Sequence, residues 1–154
     1  MTEVKTIMSK NLKTVCKGST LQDAYTIMEE FRIRHLPVVD FMGEIMGIVT
    51  YKDLHADYAV LKMPVEFFMS FPIEQISENS SLRSTALRML EKKLSSLLII
   101  NEDQEVVGIV TTDDLLWHLA SHFKNENDEA PFMDKVKLQT TIGEIARMFS
   151  QAGI

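Results

Sequence analysis

Cysteine is all but absent. Cys16 stands alone, so no internal disulfide can form. Four histidines and that single thiol make no Cys/His spacing of the zinc-binding kind. No run approaches the roughly 18 apolar residues that a membrane-spanning helix needs. The opening MTEVKTIMSK lacks the apolar stretch of a signal peptide. Positive charge is short as well: 16 Lys and Arg face 22 Asp and Glu, a formal net charge of −6, with a pI near 5.2. Phosphate backbones and anionic membranes reward clustered Lys and Arg, so the balance argues against nucleic acid and membrane as partners. It leaves room for a small local anion site. These absences predict a cytoplasmic protein. Catalytic signatures are missing too, with no nucleophile elbow, P-loop or HExxH, and the reading is of a chain that is not an enzyme.

What is present is ordinary in bulk and unusual in order. Of 154 residues, 45% are apolar and 25% charged, enough for one compact domain or two small ones sharing a core. Shifting the chain by 61 lays residues 7–54 on 68–115 without a gap, with 14 identities in 48 positions. Met8-Ser9 falls on Met69-Ser70, Met28 on Met89, Leu36 on Leu97, and Gly47-Ile48-Val49-Thr50 on Gly108-Ile109-Val110-Thr111. Asp53-Leu54 falls on Asp114-Leu115. A period this long marks a duplicated structural unit.

Each copy reads as β-α-β-β-α. Ser19 with Gln22 is the expected capping box of the first helix, and Leu21, Ala24, Tyr25, Met28 and Phe31 share one face at helical spacing. In the second copy Leu82, Ala86, Met89, Leu90 and Lys93 lie similarly. HLPVVD and SLLIIN suit buried strands, FMGE and EDQE are turns, and IMGIVT and VVGIVT are the next strands. Thr50 and Thr111 then open the closing helices. The fold class is α/β (α+β): two repeats, 1–61 and 62–123, packed as a pseudo-twofold pair. KNENDEAP begins a linker over 124–139. Residues 140–154, with Thr141 and Glu144 as a cap, form a C-terminal amphipathic helix.

The doubled pattern resembles a tandem pair of CBS domains, the modules named after cystathionine β-synthase. The residues that carry it are IMSKNLKTV, STLQDAYTIMEEFRIRHLPVVD and GEIMGIVTYKDL, with FMSFPIEQI, SSLRSTALRMLEKKLSSLLIIN and QEVVGIVTTDDL in the second copy. The resemblance covers roughly residues 4–123. It implies a compact module with two clefts, usually a homodimer, that binds an adenosine-containing ligand (AMP, ADP, ATP or S-adenosylmethionine) and regulates another protein. It places a ribose contact at Asp53 and Asp114 and a phosphate-side hydroxyl at Thr50 and Thr111. It places adenine near the backbone of Thr14-Val15 and Gln75-Ile76. Arg34-His35 and Ser95-Ser96 stand on the phosphate side, with Pro37 and Lys52 completing the candidate set.

Two readings of Thr-x-x-Asp stay open on the residues. Thr as N-cap with Asp three residues on satisfies free N–H groups and complements the helix dipole. At a sheet edge, the same helix start also suits an anion, and the Asp can accept from ribose hydroxyls. The copies are unequal. Arg34, His35 and Lys52 beside the first motif become Ser95, Ser96 and Asp113 beside the second, so the first cleft is expected to prefer a charged nucleotide. The alternative is an interaction scaffold whose clefts are vestigial. His118 and His122, with Asp114 one turn earlier, share a helix face but lack a fourth ligand, and no metal is expected.

Overall fold

The computed structural model describes residues 1–54 and 57–123. Met1–His118 make one compact unit, and the chain from Leu119 onward belongs to a second. Every candidate site residue lies in the first. The linker and the amphipathic helix expected beyond residue 123 fall outside the described residues.

The first repeat runs β1 (Val15–Cys16), α1 (Leu21–Phe31), β2 (His35–Val39), β3 (Ile45–Thr50), a 3-10 turn (Tyr51–Leu54) and α2 (Tyr58–Leu61). The second runs β4 (Gln75–Ser77), α3 (Leu82–Lys92), β5 (Ser96–Ile100), β6 (Val106–Thr111) and α4 (Thr112–His122). The two sheets have the orders β1-β2-β3 and β4-β5-β6. In each, the short first strand pairs parallel with the middle one, which pairs antiparallel with the third. Both antiparallel pairs slip register at the same place, Val38/Val39 and Ile99/Ile100. The expected β-α-β-β-α order therefore holds in both copies. The first closing helix is the exception, being a 3-10 turn followed by a four-residue helix rather than one continuous piece.

Local chemistry explains the helices, with some corrections. The capping box of α1 is Thr20 with Asp23, one residue later than Ser19 with Gln22. The Thr20 amide donates to Asp23 Oδ2 at 2.8 Å, and the Asp23 amide donates back to Thr20 Oγ1 at 3.2 Å. A full negative charge near the helix start does more there than a neutral amide can. Ser19 is used otherwise: its amide donates to the Cys16 carbonyl and its own carbonyl accepts from Val65. Ser81 caps α3 at the equivalent position. Leu21, Ala24 and Met28 are buried as the helical spacing predicts, but Phe31 is exposed, its ring covered by the Lys13 ammonium at 4.1 Å. On α3 the buried residues are Thr85 and Met89, while Leu90 is exposed. Thr85 fits inside because its hydroxyl donates to the Ser81 carbonyl at 2.9 Å. Both helices end on a residue in the left-handed region, Arg32 and Lys93, each with φ 54°. Lys93 thus ends the helix as a cap rather than extending its apolar stripe. The next residues, Ile33 and Leu94, then pack on the two cores.

The lead-in segments are exchanged between the repeats. Val4, at the start of the chain, is fully buried in the second repeat's core with Met89, Leu97, Ile99 and Val110. Val65, which precedes the second repeat, is fully buried in the first repeat's core with Leu21, Met28, Leu36 and Val49. Backbone hydrogen bonds fix both crossings. Ser9 exchanges two with Ile109, and Ser70 exchanges two with Ile48. Gly47 and Gly108 accommodate the crossings, because a Cβ at Gly47 would lie 2.6 Å from Met69 Sδ and one at Gly108 would lie 2.7 Å from the Ser9 carbonyl. The sheets also meet face to face, with Ile48, Leu98 and Ile109 buried among Leu12, Ile45, Ile73 and Val106. Neither repeat has a complete core without the other.

Candidate functional site

At both strand ends a threonine holds the aspartate three residues on. The Thr50 amide and hydroxyl each donate to Asp53 Oδ2 at 2.8 Å. The Thr111 amide and hydroxyl donate to Asp114 Oδ2 at 2.7 and 2.8 Å, and the Asp114 amide returns a bond to Thr111 Oγ1 at 3.3 Å. The capping reading is realised in full in the second copy, where α4 follows; in the first, Asp53 accepts from Thr50 but a 3-10 turn follows. In each, the threonine's bonds fall on one carboxylate oxygen, Oδ2. All four side chains are half-buried, and each carboxylate is held by its threonine.

Sheet register gathers the other candidates around these junctions. His35 is the cross-strand partner of Thr50, and Ser96 of Thr111. The Tyr51 amide donates to the Arg34 carbonyl at 2.8 Å, and the Thr112 amide to the Ser95 carbonyl at 3.0 Å. So Arg34-His35 and Ser95-Ser96 each stand beside the threonine of their own repeat. Pro37 is buried opposite Ile48. Val15 pairs with Val38, next to Pro37, and Gln75 pairs with Leu98, the Pro37 equivalent. Val15 is buried and Ile76 packs on the second core, which leaves backbone, with the exposed Thr14 and Gln75, as the accessible surface there. Lys52 is exposed on the turn between Thr50 and Asp53.

Two contacts were not legible in the motif. The first is a bond between the repeats: His35 Nε2 lies 2.8 Å from Ser95 Oγ. Burial holds the His35 imidazole below its ordinary pKa, the nearby Asp113 and Asp114 oppose that effect, and Lys52 and Arg34 add to it. The second is a stack at the first junction only. The Arg34 guanidinium lies 5.7 Å from the centre of the Tyr51 ring, and Tyr51 lies 5.9 Å from Tyr25. The second copy has Thr112 and Ala86 at those positions. Tyr51 next to Thr50 was the only sequence signal for it. Among the described residues no group of three His, Cys, Asp or Glu side chains forms a metal set, and no helix is long and apolar enough to cross a membrane.

Two three-stranded sheets related by a 61-residue repeat, with a bonded Thr-x-x-Asp pair after the last strand of each, define a duplicated α/β fold. The CBS domain family model matches residues 4–57 and 65–121, and the chain belongs to that family as a CBS pair. Among solved structures it is similar to the CBS domain pair of protein MJ0100, determined in complex with 5′-methylthioadenosine and S-adenosyl-L-methionine. The TM-score is 0.71 at 29% identity, over 79% of this chain and 98% of that one. It is also similar to a conserved protein of Pyrococcus horikoshii, with TM-score 0.68 at 29% identity, over 81% and 96%. Among curated proteins it is 30% identical over 115 residues to L-aspartate semialdehyde sulfurtransferase of Methanocaldococcus jannaschii, a match that takes in 75% of this chain and 23% of that protein. It is 32% identical over 120 residues to homoserine O-acetyltransferase of Methanobrevibacter ruminantium, over 78% and 24%. The chain spans about a quarter of the length of these curated relatives.

Proposed function

We propose that this CBS pair binds an adenosine-containing ligand at one or both junctions and regulates a partner protein. The observation that carries the reading is the pair of half-buried carboxylates, Asp53 and Asp114, each fixed by its threonine through Oδ2. Such a carboxylate can accept from the vicinal hydroxyls of a ribose without first being reoriented. The adenosine compounds held by the MJ0100 pair support the ligand class. Thr14-Val15 and Gln75-Ile76 would meet the base through backbone. The first junction, with Arg34, Lys52 and the Tyr51 stack, would take a charged nucleotide of the AMP, ADP or ATP kind. The second, with Ser95, Ser96 and Asp113, would take a less charged adenosyl ligand such as S-adenosylmethionine.

The ligand would act by favouring one arrangement of the module over another, to the extent of its differential affinity. A homodimer is the proposed assembly, supported by exposed Leu116 and Trp117 on α4. The enzyme names of the curated relatives belong to proteins four times as long as the matched region, and no catalytic role is proposed here. A thermal-shift screen with AMP, ATP, 5′-methylthioadenosine and S-adenosylmethionine tests the proposal, since a ligand bound by the native state raises the melting temperature. No shift with any of them at millimolar concentration would leave the junctions as caps on an interaction scaffold.

A further inference from the structure

We propose that the hydrogen bond between His35 and Ser95 couples the two junctions, so that an anion bound at one changes the affinity of the other. The ligand part of this rests on the adenosine reading above, and the structural part rests on geometry alone. The path is short. His35 is the cross-strand partner of Thr50, which holds Asp53. His35 Nε2 meets Ser95 Oγ at 2.8 Å. The Ser95 carbonyl accepts the amide of Thr112, the residue after Thr111, which holds Asp114. One side-chain bond thus spans the repeats and ends on each side next to a capping threonine.

The bond has two distinguishable states. A neutral imidazole can accept the Ser95 hydroxyl proton at Nε2, whereas an imidazolium donates from both ring nitrogens. On protonation Ser95 Oγ must become the acceptor, and its own hydrogen turns away from the ring. The charges that bear on this choice come from both repeats. Arg34 and Lys52 disfavour the charged ring, and Asp113 and Asp114 favour it. A phosphate seated between Arg34 and Lys52 cancels the first pair and draws a proton to His35. By linkage, a ligand that takes up the released Ser95 hydrogen strengthens anion binding at the first junction by the same factor.

The test uses the whole chain, with Ser95→Ala and His35→Gln as variants. Amide resonances of Thr50, Asp53, Thr112 and Asp114 are followed by NMR through a pH titration, then through an ATP titration at pH 6. In the wild type, Thr112 and Asp114 are expected to move with the His35 midpoint, below 6.5, and ATP to raise that midpoint. Ser95→Ala is expected to cut the Thr112 amplitude at least threefold while Thr50 keeps its own. Occupancy of the two junctions, tracked at Asp53 and Asp114, is expected to be coupled by at least about fivefold in the wild type and by less than about twofold in both variants. Flat Thr112 and Asp114 in the wild type, or an unchanged amplitude in Ser95→Ala, would overturn the coupling. Binding at both junctions with equal affinities in wild type and variants would overturn it while leaving the ligand reading intact. A Ser95-dependent transition with no binding of any adenosine compound would sink the ligand reading and uphold the link between the junctions.

Discussion

Replacing Val65 by alanine tests the exchanged lead-ins, because this residue precedes the second repeat yet is fully buried in the core of the first. The substitution deletes two methyl groups, about 0.8 kcal/mol each in transfer free energy. The neighbours Leu21, Met28, Leu36 and Val49 belong to strands and a helix that cannot close the gap fully, so a cavity term adds to this. The expected loss is about 2–3 kcal/mol, or roughly 1 M in the urea midpoint. Val4→Ala is expected to cost the same, since Val4 is equally buried in the second core. The assay is urea unfolding followed both by circular dichroism and by the fluorescence of Trp117, the single tryptophan, which sits on α4. Each variant should shift both signals together, because neither repeat closes its core alone. A loss under about 0.5 kcal/mol, within the range of ordinary surface changes, would refute the exchange. So would a Val65→Ala protein in which only the circular dichroism moves.

Other expectations follow from single contacts. Gly47→Ala and Gly108→Ala should both destabilise by about 1–3 kcal/mol through overpacking. Adding Met69→Ala should relieve most of the first, since it removes the Sδ and Cγ at 2.6 and 2.8 Å and leaves only the residue's own Cβ at 3.0 Å. Adding Met8→Ala should not relieve the second, because the Ser9 carbonyl remains 2.7 Å from the new Cβ. His35 has its pKa lowered by burial, so the unfolded chain binds more protons in the window below 6.5. Stability should therefore fall as pH drops through that window and level off below the folded pKa. A His35→Gln protein should lack that slope in a denaturation series from pH 8 to 5. Thr85→Val keeps the volume but removes the hydroxyl bond to the Ser81 carbonyl, and should cost about 0.5–1.5 kcal/mol in the same urea assay.

Much of this was legible because the duplication is written in apolar periodicity and in Gly-led strands. HLPVVD and SLLIIN became β2 and β5, and each Thr-x-x-Asp pair is hydrogen-bonded, with a full cap only before α4. The exchange of lead-ins was not legible. Gapless spacing shows that the repeats pair closely, but nothing in IMSK or FMSF says whose core they enter. The capping box moved by one residue because Ser19 and Thr20 can both cap, and the carboxylate of Asp23 decides between them. Leu90 read as core and proved exposed, because α3 buries the same face as α1, with Thr85 and Met89 in the places of Ala24 and Met28, and Leu90 stands in the place of Glu29. At the site, register explains why His35 stands beside Thr50. Its bond to Ser95 depends on how the two sheets face each other, and a one-dimensional pattern does not hold that information.

The most direct measurement is calorimetric titration of ATP and of S-adenosylmethionine into the wild type, Asp53→Asn and Asp114→Asn. Asparagine retains a side-chain oxygen to accept from the threonine but lacks the charge and the second acceptor. ATP binding is expected to weaken at least about tenfold in Asp53→Asn, the loss of roughly 1.4 kcal/mol, with a smaller change in Asp114→Asn. S-adenosylmethionine is expected to show the reverse order. Both ligands binding all three proteins equally, or neither ligand binding the wild type at millimolar concentration, would contradict the assignment of these carboxylates to an adenosine ligand.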